Sequence, residues 1–275
     1  LDDSHLAMRV NLDACIQCGL CVRACREVQV NDVIGMSGRG HDAYPTFDLA
    51  DPMGDSTCVA CGECVQACPT GALMPASVLD DRQIGDSADF DREVKSVCPF
   101  CGVGCQVSLK VKDKRVKFVE GINGPANEGR LCVKGRFGFD YIHHEHRLMK
   151  PLIRRDDAPK KGLNVDPYNW QEFFREVTWD EALDFAAGGF KVLKEKVGGA
   201  SVAGFGSAKC TNEEAYLFQK FIRQGFGHNN VDHCTRLCHA SSVAALMENV
   251  GSAAVTATFN EIENADVAIV IGANP

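Results

Sequence analysis

Two cysteine runs of identical spacing constrain this 275-residue chain more than any other feature. In each run, two, two and three other residues separate the successive cysteines. The first run contains Cys15, Cys18, Cys21 and Cys25, and the second contains Cys58, Cys61, Cys64 and Cys68. Cysteines so close in sequence seldom form disulfides with one another, and zinc sites commonly use paired spacings that total four ligands. The repeated spacing therefore favours iron–sulfur clusters over both alternatives.

The fourth cysteine of each run is expected to bind the cluster of the other run, as it does in two-cluster ferredoxins. One [4Fe–4S] cluster is then held by Cys15, Cys18, Cys21 and Cys68, and the other by Cys58, Cys61, Cys64 and Cys25. The segment Pro69–Ala72, directly after the last ligand, adds to the resemblance to these ferredoxins. With its longer insert between the runs, the region also resembles the ferredoxin-like domain of NADH-linked iron–sulfur subunits and iron-only hydrogenases. That resemblance implies electron transfer.

A third group of cysteines has a different spacing and consists of Cys98, Cys101, Cys105 and Cys132. These cysteines do not pair in the manner of a zinc ribbon. They resemble the [4Fe–4S] site of molybdopterin oxidoreductases of the dimethyl-sulfoxide-reductase family. Residues 106–111 and 116–120 are predicted to form a hairpin that returns Cys132 to the other ligands. In the family, the lysine at the position of Lys134 lies between cluster and pterin, where its charge would stabilise reduced states. The alternative is a solvated surface lysine.

From Thr178 onward the sequence alternates between helical and strand patterns. A capping-box arrangement of Thr178 and Glu181 predicts a helix that ends near Val197. Further helices are predicted at 212–224 and 242–247, and strands at 201–205, around 231 and at 266–271. This alternation predicts a doubly wound parallel sheet, incomplete within this chain, with ligands beyond the carboxyl ends of its strands. The glycine fingerprint of dinucleotide-binding folds is absent, so NAD is not expected to bind this chain directly.

The segment 230–242 carries the substrate assignment. It resembles the metal-ligand loop of formate dehydrogenases, in which a cysteine or selenocysteine precedes a histidine. The resemblance implies a molybdenum or tungsten thiolate at Cys238, a companion imidazole at His239, and no metal at Cys234. A soft thiolate suits a metal already bound by pterin dithiolenes, and a histidine that titrates near neutral pH can handle a proton. Cys210, by contrast, is interpreted as a small buried hydrophobic residue.

Two shorter matches imply contacts to a bis(molybdopterin guanine dinucleotide) cofactor. Asn212 and Glu213 match family positions near one pterin, although Thr211 before them also begins a helix in the ordinary way. Small residues at a strand end let the backbone approach a ligand. A second contact is implied there, at Gly272, Ala273 and Asn274.

Composition and charge exclude several other classes of function. The net charge is −8, and no basic stripe is present to neutralise nucleic-acid phosphates. No apolar run is long enough to cross a bilayer. Residues 1–10 lack the basic and apolar pattern of a signal peptide, so we expect a cytoplasmic location. Because the sequence ends directly after a predicted strand, we also expect it to be part of a longer protein.

These patterns predict a ferredoxin-like two-cluster α+β domain at 1–90, a small β-rich [4Fe–4S] domain at 91–155, and the first part of a molybdopterin-binding α/β domain at 156–275. The resemblance implies that formate is oxidised to carbon dioxide, or the reverse, and that three clusters pass the electrons to a flavin- and NAD-binding partner subunit. Two alternatives stay open. One is another molybdopterin oxidoreductase such as a nitrate reductase, and the other is a pterin-free electron-transfer subunit related to the NADH dehydrogenase large chain.

Overall fold

A computed structural model describes residues 1–80, 89–158 and 165–272. The chain divides into two compact units, Leu1–Arg147 and Leu148–Pro275. Both predicted iron–sulfur regions fall almost entirely within the first unit, and the boundary between them stays a prediction. Ala273 and Asn274 lie outside the described residues. None of the helices in the described ranges is both long enough and apolar enough to span a membrane.

The amino-terminal part of the first unit is built around the two cysteine runs. Strand β1 (Met8–Val10) pairs antiparallel with β4 (Leu73–Pro75). The insert between the runs forms a hairpin of β2 (Ile34–Ser37) and β3 (Tyr44–Phe47). The helices of this part are α1 (Leu20–Arg23), α2 (Glu63–Ala67) and α3 (Ala76–Asp80). Its buried core combines apolar side chains with three of the cysteines themselves, Cys21, Cys25 and Cys64.

The second part of the first unit is a three-stranded antiparallel sheet. Its strands, in spatial order, are β5 (Arg92–Val97), β6 (Gln106–Lys112) and β7 (Arg115–Gly121). The predicted hairpin is confirmed, with Asp113 and Lys114 both at positive φ in its turn, as a tight two-residue turn requires. Strand β5 was not predicted, because its charged residues hide any alternation. A short helix, α4 (Val133–Phe137), follows Cys132 directly.

The second unit contains an antiparallel pair and a parallel pair of strands. The antiparallel pair is β8 (Leu152–Arg154) with β9 (Phe174–Glu176), and the parallel pair is β10 (Gly204–Gly206) with β11 (Val231–His233). The helices are α5 (Trp179–Val197), α6 (Asn212–Lys220), α7 (Thr235–Cys238) and α8 (Ala240–Val250). The predicted cap is confirmed, since the Thr178 hydroxyl accepts a hydrogen bond from the Glu181 amide at 3.2 Å.

Three predictions for the second unit differ from the structure. The predicted strand at 266–271 is not formed, and Val267, Ile269 and Ile271 are exposed. A strand needs a hydrogen-bonding neighbour, and within the described ranges this segment has none. Among the described residues of the second unit, the parallel sheet consists of β10 and β11 alone, and the predicted doubly wound sheet is seen there only as this pair. Strand β10 also begins later than predicted, because Gly199–Ser201 forms a 3-10 turn.

Candidate cluster and cofactor sites

The cysteines of the two runs come together in two groups, and each group contains residues of both runs. The Cys21 thiol is close enough to Cys15, Cys18 and Cys68 to interact with them electrostatically. The Cys64 thiol interacts in the same way with Cys61, Cys58 and Cys25, and also with Cys21 of the first group. The neighbours of Cys21 agree with the first predicted set and those of Cys64 include the second, while the role of these cysteines as cluster ligands stays a prediction. All fifteen cysteines are free thiols, so the disulfide alternative finds no support.

The backbone of both runs bends in the same unusual way beside its first cysteine. Gln17 has φ +58° and Ala60 has φ +56°, values that non-glycine residues rarely adopt. In these conformations the Gln17 amide donates to Cys15 Sγ at 3.4 Å, and the Ala60 amide donates to Cys58 Sγ at 3.3 Å. Hydrogen bonds to sulfur stabilise negative charge on a thiolate or cluster. The same strained turn, present twice, therefore fits two cluster-binding loops.

Burial and neighbouring groups shift the pKa values of these thiols in different directions. Burial raises the pKa of Cys21 to about 11 and raises that of Cys64 well above its ordinary value. At Cys68 burial also acts to raise the pKa, but backbone hydrogen bonds from Leu73 and Thr70 outweigh it and lower the pKa. Buried thiolates side by side repel one another unless a metal neutralises them. The two groups fit metal-bound thiolates.

The four cysteines of the third predicted group also lie near one another. Burial raises the pKa of Cys105, and so does the proximity of Cys98, Cys101 and Cys132. The Cys98 amide donates to the Cys105 carbonyl at 2.8 Å, which closes the loop between them. Across the described ranges no three His, Cys, Asp or Glu side chains lie close enough to hold a single metal ion. A cubane makes a different demand, because each thiolate needs to reach only one of its four irons.

A buried ion pair connects the second run with the residues around Cys132. Arg136 is 2% exposed and forms an ion pair with Glu63 of α2. Its Nε donates to the Cys61 carbonyl at 2.7 Å, and its Nη1 donates to Gln66 Oε1 at 2.7 Å. The Leu131 amide donates to Glu63 Oε1 at 2.9 Å. A buried charge pair is tolerated when its polar atoms are satisfied in this way.

The Arg136 side chain packs directly against Gly62, so a larger residue at position 62 should destabilise the protein. Gly62 has φ +73°, and a Cβ there would collide with the Arg136 and Phe137 side chains. Gly19, at the same place in the first run, has φ +71° and open space. We expect Gly19→Ala to cost about 1–2 kcal/mol for the left-handed conformation alone. Gly62→Ala should cost about 1–3 kcal/mol more, because its neighbours are held in place.

Chemical unfolding of the cluster-loaded protein measures both costs. Equal destabilisation by Gly19→Ala and Gly62→Ala would contradict the close packing of Arg136 on Gly62. A larger loss for Gly62→Ala supports it.

In the second unit, a cavity of about 520 Å³ opens where the parallel strands end. Its lining includes Ser207 after β10, His233 at the end of β11, and Cys210 and Glu214. Parallel α/β folds bind ligands at this edge. The interpretation of Cys210 as a buried hydrophobic residue is wrong, because its thiol is half-exposed beside the cavity and donates to the Ser207 carbonyl at 2.8 Å. Sequence reasoning also missed His233, whose position at a strand end was the available signal.

Cys238 and His239 lie at the junction of two helices. Cys238 is the last residue of α7, and His239, with φ −141°, interrupts the helical path before α8. Both side chains are exposed. Cys234, four residues earlier, has a different environment, because its sulfur accepts a hydrogen bond from the Ala208 amide at 3.2 Å. The two cysteines of this segment are therefore structurally distinct.

Of the remaining predicted site residues, those within the described ranges are exposed, namely Lys134, Asn212, Glu213 and Gly272. Lys134 lies in α4, two residues after Cys132, and its side chain is accessible. Asn212 and Glu213 form the first turn of α6, which the reciprocal capping box of Thr211 and Glu214 begins. Neither Asn212 nor Glu213 lines the cavity. Gly272 has φ +63°, the left-handed region that glycine tolerates, and within the described residues no atom lies within 4 Å of a Cβ added there.

Three parts of the chain match known protein families. Residues 14–72 match the 4Fe-4S dicluster domain, residues 91–144 match the molybdopterin oxidoreductase Fe4S4 domain, and residues 147–275 match the molybdopterin oxidoreductase family. Cluster-binding loops thus precede a cofactor-binding unit of one redox family. The chain belongs to the molybdopterin oxidoreductases.

Among similar curated proteins, "Putative formate dehydrogenase SH0748" of Staphylococcus haemolyticus is 35% identical over 97% of this chain and 29% of its own length. "Probable oxidoreductase YjgC" of Bacillus subtilis is 34% identical over 99% of this chain and 30% of its own length. "Putative formate dehydrogenase YrhE" of the same organism is 34% identical over 100% of this chain and 30% of its own length. The chain spans about 30% of the length of the curated relatives it matches.

Proposed function

We propose that this chain is the cluster-bearing and cofactor-binding part of a formate dehydrogenase. The observation that carries the proposal is the exposed Cys238–His239 pair at the junction of α7 and α8, in a segment similar to the metal-ligand loop of formate dehydrogenases. Two of the relatives bear formate dehydrogenase in their names, which supports the same substrate. The reaction converts formate to carbon dioxide, one proton and two electrons, or runs in reverse.

Cys238 and His239 would have different roles at the reacting centre, one as metal ligand and the other as proton acceptor. When bound, a molybdenum or tungsten bis(molybdopterin guanine dinucleotide) group would supply the two-electron redox chemistry. Cys238 would hold the metal as a thiolate, a soft ligand that this metal favours. His239 would take the proton that formate loses, because a ring nitrogen of imidazole can act as a general base. The proposed pterin contacts are Asn212, Glu213, Gly272, Ala273 and Asn274.

The three cysteine groups would form an electron path through the first unit. Each group would hold one [4Fe–4S] cluster, and each cluster would carry one electron at a time. Lys134 would stabilise the reduced state of the third cluster, because its positive charge lies two residues from the ligand Cys132. The electrons would leave to a partner subunit that binds flavin and NAD. A cytoplasmic location is part of the same proposal.

Formate itself provides the test. Under anaerobic conditions, the purified protein should contain about one molybdenum or tungsten per chain and iron for three [4Fe–4S] clusters. Addition of formate should bleach the visible absorbance of the clusters and produce electron paramagnetic resonance (EPR) signals of reduced [4Fe–4S] centres. Clusters that stay oxidised in formate would overturn the substrate assignment.

The same preparation separates the two alternatives. A nitrate reductase would reoxidise its dithionite-reduced clusters when nitrate is added and would not respond to formate. A pterin-free electron-transfer subunit would contain iron without molybdenum or tungsten. Either result would replace the proposal of formate oxidation.

A further inference from the structure

The buried ion pair of Arg136 and Glu63 lies between two of the proposed cluster sites. Glu63 stands between the ligands Cys61 and Cys64 in the sequence, and Arg136 follows Cys132 by one helical turn. The Arg136 guanidinium donates to the carbonyl of Cys61, and the Leu131 amide, directly before Cys132, donates to Glu63. Each member of the pair thus contacts backbone beside a ligand of the other group.

Gln66 adds a second set of hydrogen bonds between the second cysteine run and the neighbouring sheet. Its Oε1 accepts from the Gly121 amide at 2.9 Å and from Arg136 Nη1 at 2.7 Å, while its Nε2 donates to the Gly121 carbonyl at 3.1 Å. Gln66 belongs to α2, between the ligands Cys64 and Cys68, whereas Gly121 ends strand β7 of the neighbouring sheet. The residues joined by these hydrogen bonds are separated in the sequence by between 55 and 75 positions. They hold the second cluster loop against the loop of the third cluster.

Burial gives the two charges unusual electrostatic influence. The side chains of Arg136 and Glu63 are 2% and 9% exposed, so water and salt screen them weakly. As a pair, their fields largely cancel at a distance. A single uncompensated member would act on a nearby cluster through a medium of low dielectric constant. An arginine cannot shed its charge by losing a proton.

We propose that Arg136 and Glu63 are positioning residues for electron transfer between the second and third clusters. The pair holds the two cluster loops together and, because its charges are balanced, adds little net field that would displace the reduction potential of either cluster. The step itself moves one electron from a reduced cluster to its oxidised neighbour, without making or breaking a bond. This inference rests on the proposed function, since it requires the three clusters.

Charge-neutralising variants test the role of the balanced pair. Glu63→Gln leaves the guanidinium uncompensated, which should shift the potential of the adjacent clusters to more positive values. Arg136→Gln leaves the carboxylate uncompensated and should shift it to more negative values. The double variant E63Q/R136Q should return close to the wild-type potential. A role confined to packing would not produce shifts of opposite sign.

The measurement is an anaerobic redox titration of the purified protein followed by EPR, with iron content determined for each variant. Arg23→Gln and Glu27→Gln are the controls, because this pair lies beside Cys25 but its side chains are 68% and 59% exposed. Solvent should screen their charges, so both controls should leave the potentials nearly unchanged. If Arg136→Gln loses clusters, the direction of the shift in Glu63→Gln alone still decides, and a shift to less positive values would overturn the proposal.

The possible outcomes separate this inference from the proposed function. Opposite shifts, cancelled in the double variant and larger than in the controls, support the role of Arg136 and Glu63. Shifts of the same sign, no shift in Glu63→Gln, or equal shifts in the controls overturn it. Wild-type protein with fewer than three clusters, or clusters that formate does not reduce, would instead overturn the proposed function.

Discussion

Replacing Cys238 by serine is expected to lower formate-dependent reduction of the clusters by at least about a hundredfold. Loss of even an outer partner of a metal ligand commonly costs about 10–100-fold in metal affinity or activity, and Cys238 is proposed as the ligand itself. The hydroxyl of serine is a harder donor than a thiolate and holds a high-valent metal less well. Stopped-flow absorbance of the clusters after mixing with formate measures the effect.

Cys234→Ser is the matched control for this experiment. It makes the same atomic change four residues earlier, where the sulfur accepts a hydrogen bond from the Ala208 amide at 3.2 Å. A serine oxygen can accept that bond, so we expect the formate reaction to change little. Similar losses in the two variants, or full activity in Cys238→Ser, would contradict the assignment of the metal ligand. The visible spectrum before formate is added shows that both variants keep their clusters.

Removal of the clusters is expected to unfold the first unit. Its buried core is small and includes three proposed cluster ligands, Cys21, Cys25 and Cys64, and the Cys64 thiol is within electrostatic range of the other two. Binding of metal to cysteine-rich domains contributes on the order of 10 kcal/mol to folding. That is comparable with the whole stability of a typical domain, about 5–15 kcal/mol. Without the clusters, the remaining apolar contacts should be too few to keep the unit folded.

Circular dichroism and limited proteolysis of the full protein, before and after anaerobic removal of iron by a chelator, test this expectation. Cleavage sites that appear after removal of iron should fall within residues 1–147. Reconstitution with iron and sulfide should restore protection. An iron-free protein that keeps its resistance to protease in this region would show that the chain folds without its clusters.

Local sequence was sufficient for features that depend on neighbouring residues. The cysteine spacing predicted both mixed ligand groups, and the structure brings the thiols of Cys21 and Cys68, and of Cys64 and Cys25, into electrostatic range. The hairpin of β6 and β7 and the start of α5 followed from alternation and from the cap at Thr178. In each case the information lies in a few consecutive residues.

Features that depend on distant partners could not be predicted in this way. Residues 266–271 have the composition of a buried strand, yet a strand forms only when another strand is beside it. Cys210 was indistinguishable from a small core residue until the ends of β10 and β11 placed it at a cavity. Glu63 was not singled out from the sequence, because its partner Arg136 lies 73 residues away.

The sequence by itself determined the redox class of this protein, because cluster ligands are recognised by their spacing along the chain. Only the tertiary structure decided how those ligand groups are joined. Arg136 and Glu63 are 73 residues apart, and no pattern in the sequence links them. Their partnership follows from burial, which leaves each charge without water and makes the other its available counter-ion. The two cysteine runs are read directly from the sequence, whereas the contact between the second run and the residues around Cys132 is a property of the fold.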